Sequence, residues 1–144
     1  MISFYNTYEG FEVAHEDLLE KTIQAIADDF GLIIEYINII LLTDDGLLEI
    51  NKEFLSHDYY TDIITFNYSE TEGTLESELY ISIDRVKENA TVERVEEQVE
   101  LSRVIIHGML HLAGYEDDTP VRKAEMRSME DKYLNTAPFH VKPA

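Results

Sequence analysis

Apolar residues recur along the chain at two distinct spacings. Leu19, Ile23, Ile26, Ala27 and Phe30 fall three to four apart, which predicts an amphipathic helix over 16–30 that stops at Gly31. Tyr36 to Leu42 is a nearly continuous β-branched and aliphatic run, the signature of a strand. Ile2 to Asn6 and Asp62 to Tyr68 read as further strands, and Glu78 to Ser82 as the partner of the latter across a polar loop over 69–76. Thr43 to Asp45 offers a cap for a short helix over 46–55. A short helix is predicted over 84–90. Thr91 then caps a long helix that carries Val92, Val95, Val99, Val104, Ile105 and Leu110 and stops at Gly114. Thr119-Pro120 opens a last helix with Met126, Met129 and Tyr133, and Pro138 and Pro143 mark a loose tail. Strands and helices mix without strict alternation. The expected fold is therefore α+β: a single domain over 1–144, with a mixed, mostly parallel sheet and helices packed on it.

Composition narrows the chemistry. The 144 residues suit one domain with an ordinary core, and the 44% hydrophobic content argues against disorder. The chain has no cysteine, which excludes disulfide frameworks and cysteine-based metal or redox motifs. It has no run long and apolar enough for a membrane helix, and no basic residue precedes Lys21, so a cytoplasmic protein is expected. The net charge of −19 is concentrated at one end. Residues 1–84 hold 19 acidic side chains against Lys21 and Lys52, a balance of −17, whereas residues 85–144 are nearly neutral. Such a chain repels phosphates in bulk, so no DNA binding is expected and any RNA must be handled at a local site.

The candidate chemistry lies in His107-Gly-Met-Leu-His-Leu-Ala-Gly-Tyr-Glu-Asp117. His107 and His111 are four apart on a predicted helix and share a face, so both imidazoles can address one ion. Gly114 lets the chain turn back, and Asp117 is close enough to supply a third ligand; Asp118 competes with it on spacing alone. Two nitrogens and one oxygen leave a fourth tetrahedral position for water, as in a catalytic zinc site on a zincin-like helix. Nickel or iron suits such a ligand set too. Zinc proteases carry a glutamate directly after the first histidine as the base; here Gly108 stands there, supplying no base and freeing space beside the metal. Peptide hydrolysis is thereby disfavoured relative to phosphodiester hydrolysis.

At these residues the chain resembles the YbeY family of bacterial rRNA maturation factors, marked by His-Gly-x-Leu-His-Leu-x-Gly-Tyr-Asp-His. Thr61-Asp62-Ile63-Ile64-Thr65-Phe66, Glu78-Leu79-Tyr80-Ile81-Ser82 and Asn51 match further family positions, so the likeness spans about residues 47–118. The resemblance implies a zinc-dependent endoribonuclease specific for single strands. It implies action on rRNA, notably at the 16S 3′ end, and in ribosome quality control. It also implies that His107, His111 and Asp117 hold the ion.

Two departures stand out. The family's third ligand is usually histidine, and Asp117 replaces it; one carboxylate lowers the site's positive charge and makes a bound water less acidic, which predicts an alkaline shift of activity. An arginine common in the family is Leu55 here, and Arg103, one turn before His107, is the substitute expected for substrate phosphate. The competing expectation for Arg103 is an ion pair with Glu96, Glu97 or Glu100. Ile64 and Phe66 are expected in the core, Thr61 and Asp62 at the turn backbone, and Glu116 either as a proton acceptor or in solvent. Rival expectations are a zinc peptidase and a non-enzymatic ribosome-associated factor whose acidic half meets a basic ribosomal protein or a GTPase.

Overall fold

The structure, a computed structural model, describes residues 1–136. Its elements run β1 (Ile2–Asn6), α1 (Glu16–Asp29), β2 (Ile33–Leu42), α2 (Asp44–Leu55), β3 (Ile63–Asn67), β4 (Thr74–Ser82), α3 (Ile83–Glu93), α4 (Glu97–Leu112) and α5 (Pro120–Thr136). The four strands form one sheet in the order β1-β2-β4-β3, with β3 antiparallel to β4 and the other pairs parallel. The mixed, mostly parallel α+β sheet expected from the sequence is thus observed. Pro138 and Pro143 lie outside the described residues.

Strand alternation determines which face is buried. Ile37, Ile39 and Leu41 of β2 pair in register with Ser77, Leu79 and Ile81 of β4, and all six are fully buried. On this face the core gathers Leu19, Ile23 and Ile26 of α1, Val86 of α3, Leu101, Ile105 and Met109 of α4, and Met126 and Tyr133 of α5. The opposite face meets α2, where the rings of Phe54 and Phe66 approach edge to face at 6.1 Å. Ile64 is buried and Phe66 only partly so, both on that side.

Caps fall where the sequence places them in two helices. Thr43 Oγ1 accepts from the Gly46 N–H, and Thr119 Oγ1 accepts from the Arg122 N–H. Three boundaries differ. The division between the short helix over 84–90 and the long helix expected from Thr91 lies further along, because Arg94 adopts a left-handed conformation (φ 58°) and ends α3, and α4 begins at Glu97. The Thr91 hydroxyl donates to the Lys87 carbonyl rather than capping a helix, and Val92, at 74% exposure, is not core. β2 starts at Ile33 instead of Tyr36. β4 starts at Thr74 rather than Glu78, since Leu75 and Ser77 point inward while Glu76 and Glu78 alternate with them.

Gly108 determines how closely α4 lies on the sheet. A Cβ built there would sit 2.7 Å from Ile63 Cδ1, 3.2 Å from Leu79 Cδ2 and 3.3 Å from Thr65 Cγ2. The space expected beside the metal is therefore occupied by sheet side chains. The glycine serves close helix–sheet packing, which holds the histidine helix against β3.

Candidate metal centre

Residues i and i+4 of α4 share a face, and there the Nε2 atoms of His107 and His111 lie 2.9 Å apart. The helix ends at Leu112, and Gly114, with a φ of 104°, turns the chain back. The Gly114 N–H donates to the His111 carbonyl and the Tyr115 N–H to the Leu110 carbonyl, each at 3.0 Å. The Tyr115 ring then packs edge-on against Phe30. This return brings Asp117 Oδ2 to 3.4 Å from His107 Nε2 and 3.8 Å from His111 Nε2. Asp118 faces away and pairs with Arg122 at 2.8 Å, which decides between the two aspartates on geometry. Glu116 also pairs with Arg122.

The other ring nitrogens fix the tautomers. His111 Nδ1 lies 2.9 Å from the Tyr115 carbonyl oxygen, which only accepts, so Nδ1 carries the proton. His107 Nδ1 donates in the same way to Glu130 Oε2 at 2.7 Å. In the neutral rings both Nε2 lone pairs then face one another and the Asp117 carboxylate. Three ligand atoms facing inward repel unless a proton or a metal cation lies among them. Ligand bonds of about 2.0–2.2 Å at a tetrahedral ion place ligand atoms roughly 3.3–3.5 Å apart, and the three observed separations of 2.9, 3.4 and 3.8 Å bracket that spacing. Among the described residues, His107, His111 and Asp117 form the group that can hold a metal ion.

Glu130 is the residue that sequence reasoning missed. It is 5% exposed and reaches from α5 to two residues of α4. Its Oε2 accepts the hydrogen bond of His107 Nδ1, and its Oε1 accepts from Arg103 at 3.0 Å, while Asp131 accepts from the other end of that guanidinium at 2.8 Å. Arg103 is thus an ion-pairing residue, as one expectation had it. Its partners are Glu130 and Asp131 of α5, however, not Glu96, Glu97 or Glu100. A signal was present: Glu130 stands four after Met126 and three before Tyr133, a carboxylate on the apolar stripe of its helix.

Burial opposes charge on His107. Its hydrogen bond to Glu130 and the negative Glu130, Asp62 and Asp117 outweigh burial, so its pKa is raised. The Asp62 carboxyl is pushed up by burial, against the pull of His107 and of backbone hydrogen bonds from its own residue and Ile63. The Thr61 hydroxyl reaches the Ile63 carbonyl only at 3.5 Å. Asp62, His107 and Asp117 form a wall between two openings. One is a groove of about 550 Å³ bordered by Leu55, His57 and Tyr59, and the other is a cavity of about 310 Å³ between α3 and α5. No described helix is long and apolar enough to cross a membrane.

Known proteins are similar to this chain in sequence and in fold. A family model described as endoribonuclease YbeY matches residues 2–138. The endoribonuclease YbeY of Cytophaga hutchinsonii is 41% identical over 138 residues, covering 96% of each chain. That of Flavobacterium psychrophilum is 41% identical over 143 residues and 99% of each chain, and that of Phocaeicola vulgatus is 43% identical over 136 residues. The solution structure of TM1509 from Thermotoga maritima superposes with a TM-score of 0.63 at 30% identity, over 92% of this chain and 86% of that one. Likeness along nearly the whole length, shared by sequence and by fold, shows that this chain belongs to the endoribonuclease YbeY family.

Proposed function

We propose that this endoribonuclease is metal-dependent, uses zinc, and cuts single-stranded RNA in rRNA processing, including maturation of the 16S 3′ end and ribosome quality control. The observation that carries the metal reading is the facing pair of Nε2 atoms, each ring locked by an acceptor on its other nitrogen. Zinc bound by His107, His111 and Asp117 would supply a positive charge for a phosphoryl oxygen and acidify a water.

The chain's own groups do the rest. Glu130 and the Tyr115 carbonyl hold the imidazoles in register with Asp117. Asp62, lining both openings beside His107, accepts the proton of the attacking oxygen, either from water or from the ribose 2′-hydroxyl. Gly108 offers no carboxylate for peptide hydrolysis, which counts against a zinc peptidase. The RNA is rRNA on or near the ribosome, in the cytoplasm. The acidic first 84 residues suit a basic ribosomal protein or a GTPase as partner.

Incubating the zinc-loaded protein with single-stranded RNA and with casein tests this reading. RNA cleavage that chelation abolishes without loss of helix circular dichroism supports it, because none of the three ligands belongs to the apolar core. A 2′,3′-cyclic phosphate end identifies the 2′-hydroxyl as nucleophile. Casein cleavage with intact RNA would overturn the proposal.

A further inference from the structure

The groove beside the metal centre poses an electrostatic problem. Its wall carries the carboxylates of Asp62, Glu116 and Asp117, and no Lys or Arg is among the described residues that line it. A polyanion entering there gains little from counterion release. Beyond the one phosphate that a metal ion would attract, binding must then come from the neutral faces of the strand.

The same groove carries such a surface. The rings of His57 and Tyr59 stack at 5.1 Å with an interplanar angle of 21°, and Tyr59 is 56% exposed. A hydrogen bond of 2.9 Å joins the Tyr59 hydroxyl to His57 Nδ1. The backbone beneath is tied at both ends to one residue of α2. The His57 N–H donates to the Asn51 carbonyl at 3.1 Å, and Asn51 Nδ2 donates to the Tyr59 carbonyl at 2.8 Å. Asn51 itself is buried, and Ser56 takes a left-handed turn that starts the segment. An exposed aromatic pair anchored this firmly has little conformational freedom left to lose when a ring settles on it.

We propose that the His57–Tyr59 pair is a stacking platform for a nucleobase of single-stranded RNA and seats the nucleotide next to the phosphate that reaches the metal centre; this rests on the nuclease reading above. Stacking tolerates any base, because every base has a π-face. The platform therefore supplies affinity and position without sequence selection. It also favours single strands, whose bases are free to unstack, over duplexes.

The test is anisotropy of a labelled 2′-O-methyl adenosine hexamer on the zinc-loaded protein, with cleavage of unmodified RNA measured alongside. Tyr59→Ala is expected to weaken binding about 5- to 100-fold, and Tyr59→Phe to stay within about threefold of wild type. An abasic strand of equal length is expected to bind wild type as weakly as the intact strand binds Tyr59→Ala. A Tyr59→Ala protein that binds within about twofold of wild type overturns the platform, as does an abasic strand that binds like the intact one. If wild type cleaves RNA while either result holds, the platform alone falls. If wild type neither binds nor cleaves, the nuclease reading falls with it. The abasic comparison uses wild type only and is decisive even if the alanine variant does not fold.

Discussion

Glu100 gives the protein a pH dependence whose size follows from its surroundings. The side chain is 4% exposed, and its Oε1 is buried without a hydrogen-bond partner. Burial lifts its pKa from 4.5 to about 7, against the attraction of Arg103; Asp62 and Glu93 push further up, and Arg127 pulls down. An acid with a raised folded pKa keeps its proton in the native state after the unfolded chain has released it. Stability is therefore unaffected by this group below about pH 4.5 and falls as pH rises from there to about 7; above that the loss is constant. At about 1.4 kcal/mol per unit, this range corresponds to about 3 kcal/mol. Glu100→Gln replaces the carboxyl with an amide that does not titrate. The assay is urea unfolding of wild type and variant at several pH values from 4.5 to 8. The stability of wild type minus that of the variant is expected to fall by about 3 kcal/mol across that interval. Effects of pH on the histidines and on the metal are common to both proteins and cancel in the difference. A difference that stays constant to within about 0.5 kcal/mol, or that rises with pH, would refute the reasoning.

Three further outcomes follow from the same contacts. Glu130→Gln weakens the acceptor that orients His107, and metal titration should show affinity reduced about 10- to 100-fold. Gly108→Ala overpacks α4 against Ile63, Leu79 and Thr65, a cost of about 1–3 kcal/mol against a helix-propensity gain of about 1. Adding Ile63→Val, which removes the nearest methyl, should restore part of the loss in thermal unfolding. Asp117→His exchanges a carboxylate for a neutral ligand, so the rising limb of the activity–pH profile should move to lower pH; an unchanged profile would contradict the charge argument.

Local spacing was enough to pair the two histidines and to narrow the third ligand to two aspartates, whereas long-range packing was not legible in it. His107 and His111 follow from helix periodicity, and the return at Gly114 follows from its freedom to adopt positive φ. The choice between Asp117 and Asp118 required knowing that Arg122, a turn into α5, captures Asp118. Glu130 lies 23 residues from His107, and nothing in the intervening pattern states that α5 packs on α4. The position of the division between α3 and α4 escaped periodicity because Val92, Val95 and Val99 keep helical spacing across the break. It is backbone conformation at Arg94, not side-chain pattern, that ends α3. For Gly108 the sequence indicated a missing base, but only the packed sheet revealed why a side chain does not fit.

The most direct test of the metal centre is elemental analysis of the purified protein beside His107→Ala, Asp117→Ala and Asp118→Ala. About one divalent ion per chain is predicted for wild type and for Asp118→Ala, with strong depletion in the other two. Equal metal in all four proteins, or none in wild type after zinc loading, would contradict the convergence of these three side chains on one ion.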